Sequence, residues 1–323
     1  MHEQARTPLG RFEGITTILL TLACWTSVPL FLNFFAKHID AWTANGWRYG
    51  FSALIWLPVL VWAYARKRVP EGLWRRSLLP SFFNAVAQVA FGIAPYFVSP
   101  GVMTFSLRLQ IVFVTIGAAM MFASERRVIR TAGYLIGLVM VCLGTAGTLL
   151  FRHDGLGTAT ITGVALSVGS GLFYAAYALS VRKQLAGVNP LIGFSAISQY
   201  TAVVLVALML IFAKDHGAQA WTHLTDGQFG WLLASALIGI GIGHTLYYVA
   251  IGRLGVAPAA GVIQLQPITV SIIGTLRGVE SLNPAQWGCG TLAVIGAAWM
   301  LIVQTRMSRK PEAAVAPDGD TVD

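Results

Sequence analysis

Long apolar runs, each closed by a few polar or basic residues, recur along the whole chain. Ten of them approach the roughly 20 residues that a helix needs to cross a bilayer. They lie near 14–36, 41–64, 77–98, 101–122, 131–150, 159–181, 190–213, 228–251, 256–276 and 284–305. Ser99, Pro100 and Gly101 leave only a tight turn between the third and fourth. Asn189-Pro190 and Asn283-Pro284 each set a capping side chain before a proline at the first helical position, which predicts a helix start at both places. Composition agrees with the pattern. Hydrophobic residues make up 56% of the chain and charged ones 11%, against about 25% charged in a soluble domain. The chain reads as an all-α polytopic membrane protein, which excludes a soluble enzyme and a disordered chain.

Orientation follows from where Lys and Arg fall between the spans. With the N-terminus in the cytoplasm, that side holds Arg6, Arg11, Arg66, Lys67, Arg68, Arg75, Arg76, Arg126, Arg127, Arg130, Arg182, Lys183, Arg253, Arg306, Arg309 and Lys310. The other side holds only Lys37, Arg152, Lys214 and Arg277. Both termini are therefore expected in the cytoplasm. The same distribution accounts for the net charge of +9 and leaves no basic face for nucleic acid. Residues 1–13 lack the short apolar core and small-residue site of a cleavable signal, and read as a cytoplasmic N-terminal segment. Residues 306–323 are polar and Pro/Ala-rich, and are expected to be a disordered cytoplasmic tail. Cys24, Cys142 and Cys289 lie far apart in apolar segments, so neither a disulfide framework nor a metal site is predicted. No cofactor is expected.

The chain also repeats itself. RLQIVFVT at 108–115 matches QLQPITVS at 264–271, an offset of 156 positions. After each comes a glutamate with a glycine eight positions on, Glu125 with Gly133 and Glu280 with Gly288. Gly-Val opens both helices of the pair, at Gly101-Val102 and Gly255-Val256. Each half then has five spans, 14–150 and 159–305. Five is odd, so the second half must lie upside down relative to the first. Inverted repeats of this kind mark secondary transporters, in which one bundle moves against another around a central site.

Several motifs add to this. They are Cys24-Trp25-Thr26-Ser27 in the first span, Tyr96-Phe97-Val98-Ser99-Pro100-Gly101 before the fourth, and Phe173-Tyr174-Ala175-Ala176-Tyr177 with Arg182-Lys183 in the sixth. Leu265-Gln266-Pro267, Glu280 and Gln286-Trp287-Gly288 follow near the end. Over roughly 14–305 the chain resembles the drug/metabolite transporter superfamily, in particular its ten-helix EamA branch. Thr26 stands where that family usually has Gly, and Ile111 where Pro is common. The resemblance implies efflux or exchange of small metabolites, amino acids or amphipathic compounds. It also implies a multi-pass protein of a bacterial cytoplasmic (inner) membrane, monomeric or homodimeric.

Charge inside a bilayer is expensive, roughly 2.5–3.5 kcal/mol for Arg at a helix centre, so each case calls for a reason. Arg108 is about 10 Å below the outer end of its span, on a stripe with Thr104 and Thr115. It is expected to face an aqueous pathway. Arg48 lies at a similar depth beside Asn45, Trp47 and Tyr49, and either lines the same pathway or snorkels to the headgroups. The repeat puts Gln264 where the first half has Arg108, Gln266 where it has Gln110, and Ser271 where it has Thr115. His244 could join Gln264, or could simply bond a backbone group. Trp25 and its rough counterpart Tyr174 suit a cavity that stacks on organic substrates, with plain packing as the alternative. Gln88 is a further intramembrane polar residue, by default a helix–helix hydrogen bond. The substrate-binding candidates are thus Trp25, Arg48, Gln88, Arg108, Gln110, Tyr174, His244, Gln264 and Gln266.

No acidic residue falls in mid-span, whereas proton-driven pumps usually carry one as the relay. Uniport or exchange is expected, with His244 the one group in a span that titrates near neutral pH. A membrane-embedded enzyme is the rival class, but HExxH, GxSxG and paired core carboxylates are all missing. A channel or lipid scramblase would need a continuous hydrophilic stripe, and the sequence shows only fragments of one. The reading is an exporter or exchanger of a small molecule, such as an amino acid, organic acid or amphipathic compound. It would work by alternating access within the lipid bilayer, and is not an enzyme.

Overall fold

The computed structural model describes residues 8–151, 158–254 and 256–309. Arg152, His153, Asp154, Gly255 and residues 1–7 and 310–323 lie outside them, and with them most of the two terminal segments read above. Among the described residues the secondary structure is helical throughout. In order the helices are α1 (Pro8–Phe35), α2 (Ala41–Ala65), α3 (Leu73–Ile93), α4 (Pro100–Leu107), α5 (Gln110–Met121), α6 (Ala123–Ile129), α7 (Ala132–Leu150) and α8 (Thr158–Gln184). Then come α9 (Pro190–Phe212), α10 (Gln219–Thr222), α11 (Asp226–Ala236), α12 (Gly243–Leu254), α13 (Val256–Ile263), α14 (Gln266–Leu276) and α15 (Pro284–Arg309). Residues 306–309, expected in the tail, continue the last helix.

The helix starts follow local chemistry. Asn189 Oδ1 accepts from Leu191 N at 3.0 Å, ahead of Pro190. Asn283 and Gln286 cap one another reciprocally, Gln286 N to Asn283 Oδ1 at 2.8 Å and Asn283 N to Gln286 Oε1 at 3.1 Å, the arrangement of a capping box. Asp40 opens α2 by accepting from Thr43 N at 2.9 Å. Both Asn-Pro signals thus sit where the sequence puts them.

Eight helical stretches among the described residues are long and apolar enough to cross a bilayer. Two predicted spans fall outside that set for visible reasons. In 41–64 the hydropathy is diluted by Asn45, Trp47, Arg48 and Tyr49, while in 256–276 only the shorter apolar helix Gln266–Leu276 stands out. Burial follows the logic of a bilayer, apolar outside and polar satisfied inside. Leu54, Phe82, Met120, Leu143, Val203 and Ile211 point outward. The buried hydroxyls and amides pair across helices: Asn84 Nδ2 to Thr201 Oγ1 at 3.0 Å, Ser170 Oγ to Ala87 O at 2.9 Å, and Ser52 Oγ with Ser198 Oγ at 3.2 Å.

Packing pairs helices from the front of the chain with helices from its back. α7 lies on α15, α2 on α9, α3 on α8 and α1 on α12, while α4 lies on α14. The α7–α15 contact is the closest. A Cβ on Gly137 would stand 2.8 Å from Gly296 O, and one on Gly296 would stand 2.7 Å from Gly137 O. These glycines let two backbones touch, as small residues do in membrane bundles.

Candidate functional site

Two spans break at corresponding places. α4 ends at Leu107 and α5 resumes at Gln110; α13 ends at Ile263 and α14 resumes at Gln266. The two breaks share the 156-residue offset of the sequence repeat. At the first, Leu109 N, Ile111 N and Val112 N bond carbonyls three residues back at 3.2, 3.1 and 2.9 Å, a short tightened turn of 3₁₀ type. At the second, Leu265 N bonds Val262 O at 3.0 Å, and Pro267 has no amide hydrogen to continue the ladder. A third span bends differently, through a π turn at Leu237–Ile242 between α11 and α12.

A chain of hydrogen bonds joins all three irregularities. Arg108 Nη2 donates to Gln266 Oε1, Gln266 Nε2 donates to Trp25 O at 2.6 Å, and Trp25 Nε1 donates to Gly239 O at 3.1 Å. His244 Nδ1 lies 3.1 Å from the same carbonyl, so that nitrogen carries the proton. Trp25 reaches the π turn because two glycines make room. A Cβ on Gly239 would meet Val28 at 2.5 Å, and one on Gly243 would meet Trp25 Nε1 at 2.6 Å. Around Trp25 the rings gather: Tyr247 at 4.9 Å and His244 at 5.3 Å between centroids, with Phe194 stacked on His244 at 4.4 Å and 19°.

Arg48 belongs to a second group on the other side of the π turn. Its side chain is 2% exposed and Nε donates to Ser235 Oγ at 2.9 Å, so it faces the interior and does not snorkel. Its neighbours Asn45 and Tyr49 are buried too and form no interface cluster. Arg48 Nη2 comes within 3.9 Å of where a Cβ on Gly239 would be, which brings the two groups against one turn. Asn45 Nδ2 donates to Gln88 O at 3.1 Å, and the Gln88 side chain reaches the Tyr174 hydroxyl.

Of the nine sequence candidates, the first group holds Trp25, Arg108, His244 and Gln266, and the second holds Arg48, Gln88 and Tyr174. Gln110 and Gln264 sit at the breaks, but no described hydrogen bond of either side chain enters a group. Arg108 meets Gln266, because α4 and α14 run in opposite directions past each other, with Gly101 against Ser271 at the far end. Of the two alternatives for His244 the structure has the backbone bond, to Gly239 O presented by the π turn, and the ring lies against Trp25 and Phe194. Phe194, Ser235, Tyr247 and Tyr248 escaped the sequence reading. Tyr247 and Tyr248 follow His244 by three and four residues, the spacing that stacks side chains on one helix face, and could have been found that way.

The interior therefore holds two guanidiniums, which stay protonated. Carboxylates with described partners are engaged elsewhere: Glu13 with Arg253 at 2.8 Å, Asp40 at the start of α2, and Glu280 Oε2 with Gly101 N at 2.8 Å. A cavity of about 310 Å³ opens beside the ring cluster, lined by residues that include Tyr177, Arg182, Asn189, Phe194 and Tyr248. The buried guanidiniums can pair with an anionic group, and the cavity, whose lining includes neither of them, can take an apolar body.

The comparisons with known proteins fit this geometry. An "Uncharacterized transporter sll1319" from Synechocystis sp. is 29% identical over 153 residues, 47% of this chain and 44% of that protein. An "Uncharacterized protein PA1977" from Pseudomonas aeruginosa is 28% identical over 200 residues, 60% of this chain and 66% of that protein. Each match thus spans less than two thirds of the curated relative's own length. A solved structure titled only "Crystal structure of protein" has a TM-score of 0.61 to this one. It covers 92% of this chain and 98% of its own at 17% identity, a likeness of fold alone. Residues 161–302 match the model of the EamA-like transporter family. Over that part the chain is similar to the EamA-like transporter family.

Proposed function

We propose that the chain is a secondary transporter, an exporter or exchanger of a small metabolite by alternating access. Ten spans would form two inverted five-helix units, 14–150 and 159–305, with both termini cytoplasmic. The host membrane would be a bacterial inner membrane, and the working unit a monomer or homodimer. The observation that carries the reading is the pair of corresponding breaks, where α4–α5 passes α13–α14 and Arg108 bonds Gln266. Interrupted helices of this kind, in matching positions of two repeats, are where secondary transporters hold their substrates. The family named for transporters points the same way and away from an enzyme. The substrate would contact Arg108, Gln266, Trp25 and His244 first, with Arg48, Gln88 and Tyr174 behind them and Gln110 and Gln264 at the breaks.

Reconstitution into liposomes tests this. Flux of a small solute that saturates, and that is accelerated by the same solute trapped on the far side, is the expected result. Flux that rises linearly with concentration and shows no such counterflow would mark a pore and overturn the reading.

A further inference from the structure

Resting on the transporter reading, we infer that the substrate is an organic monoanion. Its carboxylate would take the Arg108 guanidinium and its apolar or aromatic body would lie on Trp25 and Tyr247. Three observations converge. First, Arg108 Nε is buried with no hydrogen-bond acceptor, although Nη2 of the same guanidinium is held by Gln266. A buried donor without an acceptor is uncommon and calls for a partner, and a planar guanidinium offers a carboxylate its paired donors.

Second, the charge around it is net positive, two guanidiniums against one carboxylate. Arg48 and Arg108 both face the interior, and the carboxylate toward the outer end, Glu280, is bonded to Gly101 N, seven residues or about 10 Å along the helix from Arg108. A monoanion lowers the net positive charge of this interior by one. A zwitterionic amino acid leaves it unchanged, and a cation raises it. In a medium where an isolated charge is costly, that difference orders the three. Third, apolar rings lie at the end of the hydrogen-bond chain that starts at Arg108. Trp25 and Tyr247 rings stand 4.9 Å apart between centroids, His244 is fixed by Gly239 O, and the 310 Å³ cavity reaches the cluster at Phe194 and Tyr248. Phe194 both lines the cavity and stacks on His244, so a substrate moving from the cavity to the rings would pass it.

The test uses the full-length protein and three probes with one shared body: 3-phenylpropanoate, phenylalanine and phenethylamine. Binding is followed by calorimetry in detergent, and counterflow is measured in liposomes across a wider panel of small solutes. The expected order is phenylpropanoate at least tenfold tighter than phenylalanine, with no measurable binding of phenethylamine. R108Q is expected to abolish the preference, while R108K, which keeps the charge but loses the planar fork, keeps part of it. F194A is expected to speed phenylpropanoate counterflow without changing the order of the three probes. Equal or tighter binding of phenylalanine or phenethylamine overturns the anion proposal, as does failure to bind all three, even when counterflow of another solute upholds the transporter reading. Absence of counterflow for the whole panel overturns that reading itself.

Discussion

The break between α4 and α5 and the break between α13 and α14 have nearly one backbone and two chemistries. Both follow an eight-residue helix, both leave two residues out of the regular ladder, and both are followed by a helix that completes the crossing. The first carries Arg108 and is followed by Gln110-Ile111; the second carries Gln264 and is followed by Gln266-Pro267. One half supplies a charge. The other supplies an amide that holds it. The comparison teaches that the fold constrains where the chain is interrupted, while side chains at equivalent positions are free to divide the work. Similarity between the halves pairs the two breaks; the difference between them gives the pair its polarity.

The predictions probe that division, beginning with the largest effect. Replacing Arg108 by Leu removes one side of a buried charged contact, worth about 2–5 kcal/mol. Counterflow of any anionic substrate should fall at least about 30-fold, while the far-ultraviolet circular dichroism stays unchanged. Replacing Gln266 by Leu frees the guanidinium and also breaks the bond to Trp25 O. A hydrogen bond to a charged group contributes roughly 1.5–3 kcal/mol, so affinity measured by calorimetry should drop by at least about tenfold. Gly137→Leu acts away from the breaks, on the α7–α15 contact. Its side chain would run into Gly296 O, and overpacking of that kind costs about 1–3 kcal/mol. A lower thermal midpoint, with the order of substrate affinities kept, is the expected signature. Gln264→Ala should change affinity by no more than about twofold, the scale of substitutions that break no described interaction. A loss at Gln264 as large as that at Arg108 would mean that the two breaks are equivalent in chemistry as well as in backbone.

Much of this was legible before any coordinates. Period and length gave the helices, because a bilayer leaves the backbone few alternatives, and the offset of 156 paired the two segments that turn out to be broken, though each was read as one continuous span. The intramembrane Arg108, Gln266 and Trp25 were singled out by residue type, and the structure brings them into one chain of hydrogen bonds. What the sequence hid depends on helix rotation and irregular turns. Arg48 read as a candidate for snorkelling because Asn45, Trp47 and Tyr49 look like interface residues. It is instead rotated inward, where Ser235 on α11 receives it. For His244, depth alone left Gln264 and a backbone group as alternatives. The π turn at Leu237–Ile242 adds a residue to one turn of helix and turns His244 and the Gly239 carbonyl toward Trp25. Gly239, Gly241 and Gly243 marked the place, but glycine spacing signals close packing without saying which neighbour packs there.

The transporter reading rests on the proposed opposed orientation of the two halves, and accessibility labelling tests it most directly. Glu71, between α2 and α3, and Asp215, between α9 and α10, occupy corresponding loops of the two halves. Single cysteines are placed at each in a protein whose Cys24, Cys142 and Cys289 have been replaced, and intact cells are treated with a thiol reagent that cannot cross the membrane. The account predicts that Asp215→Cys is labelled in intact cells and Glu71→Cys only after lysis. Labelling of both from the same side would contradict it.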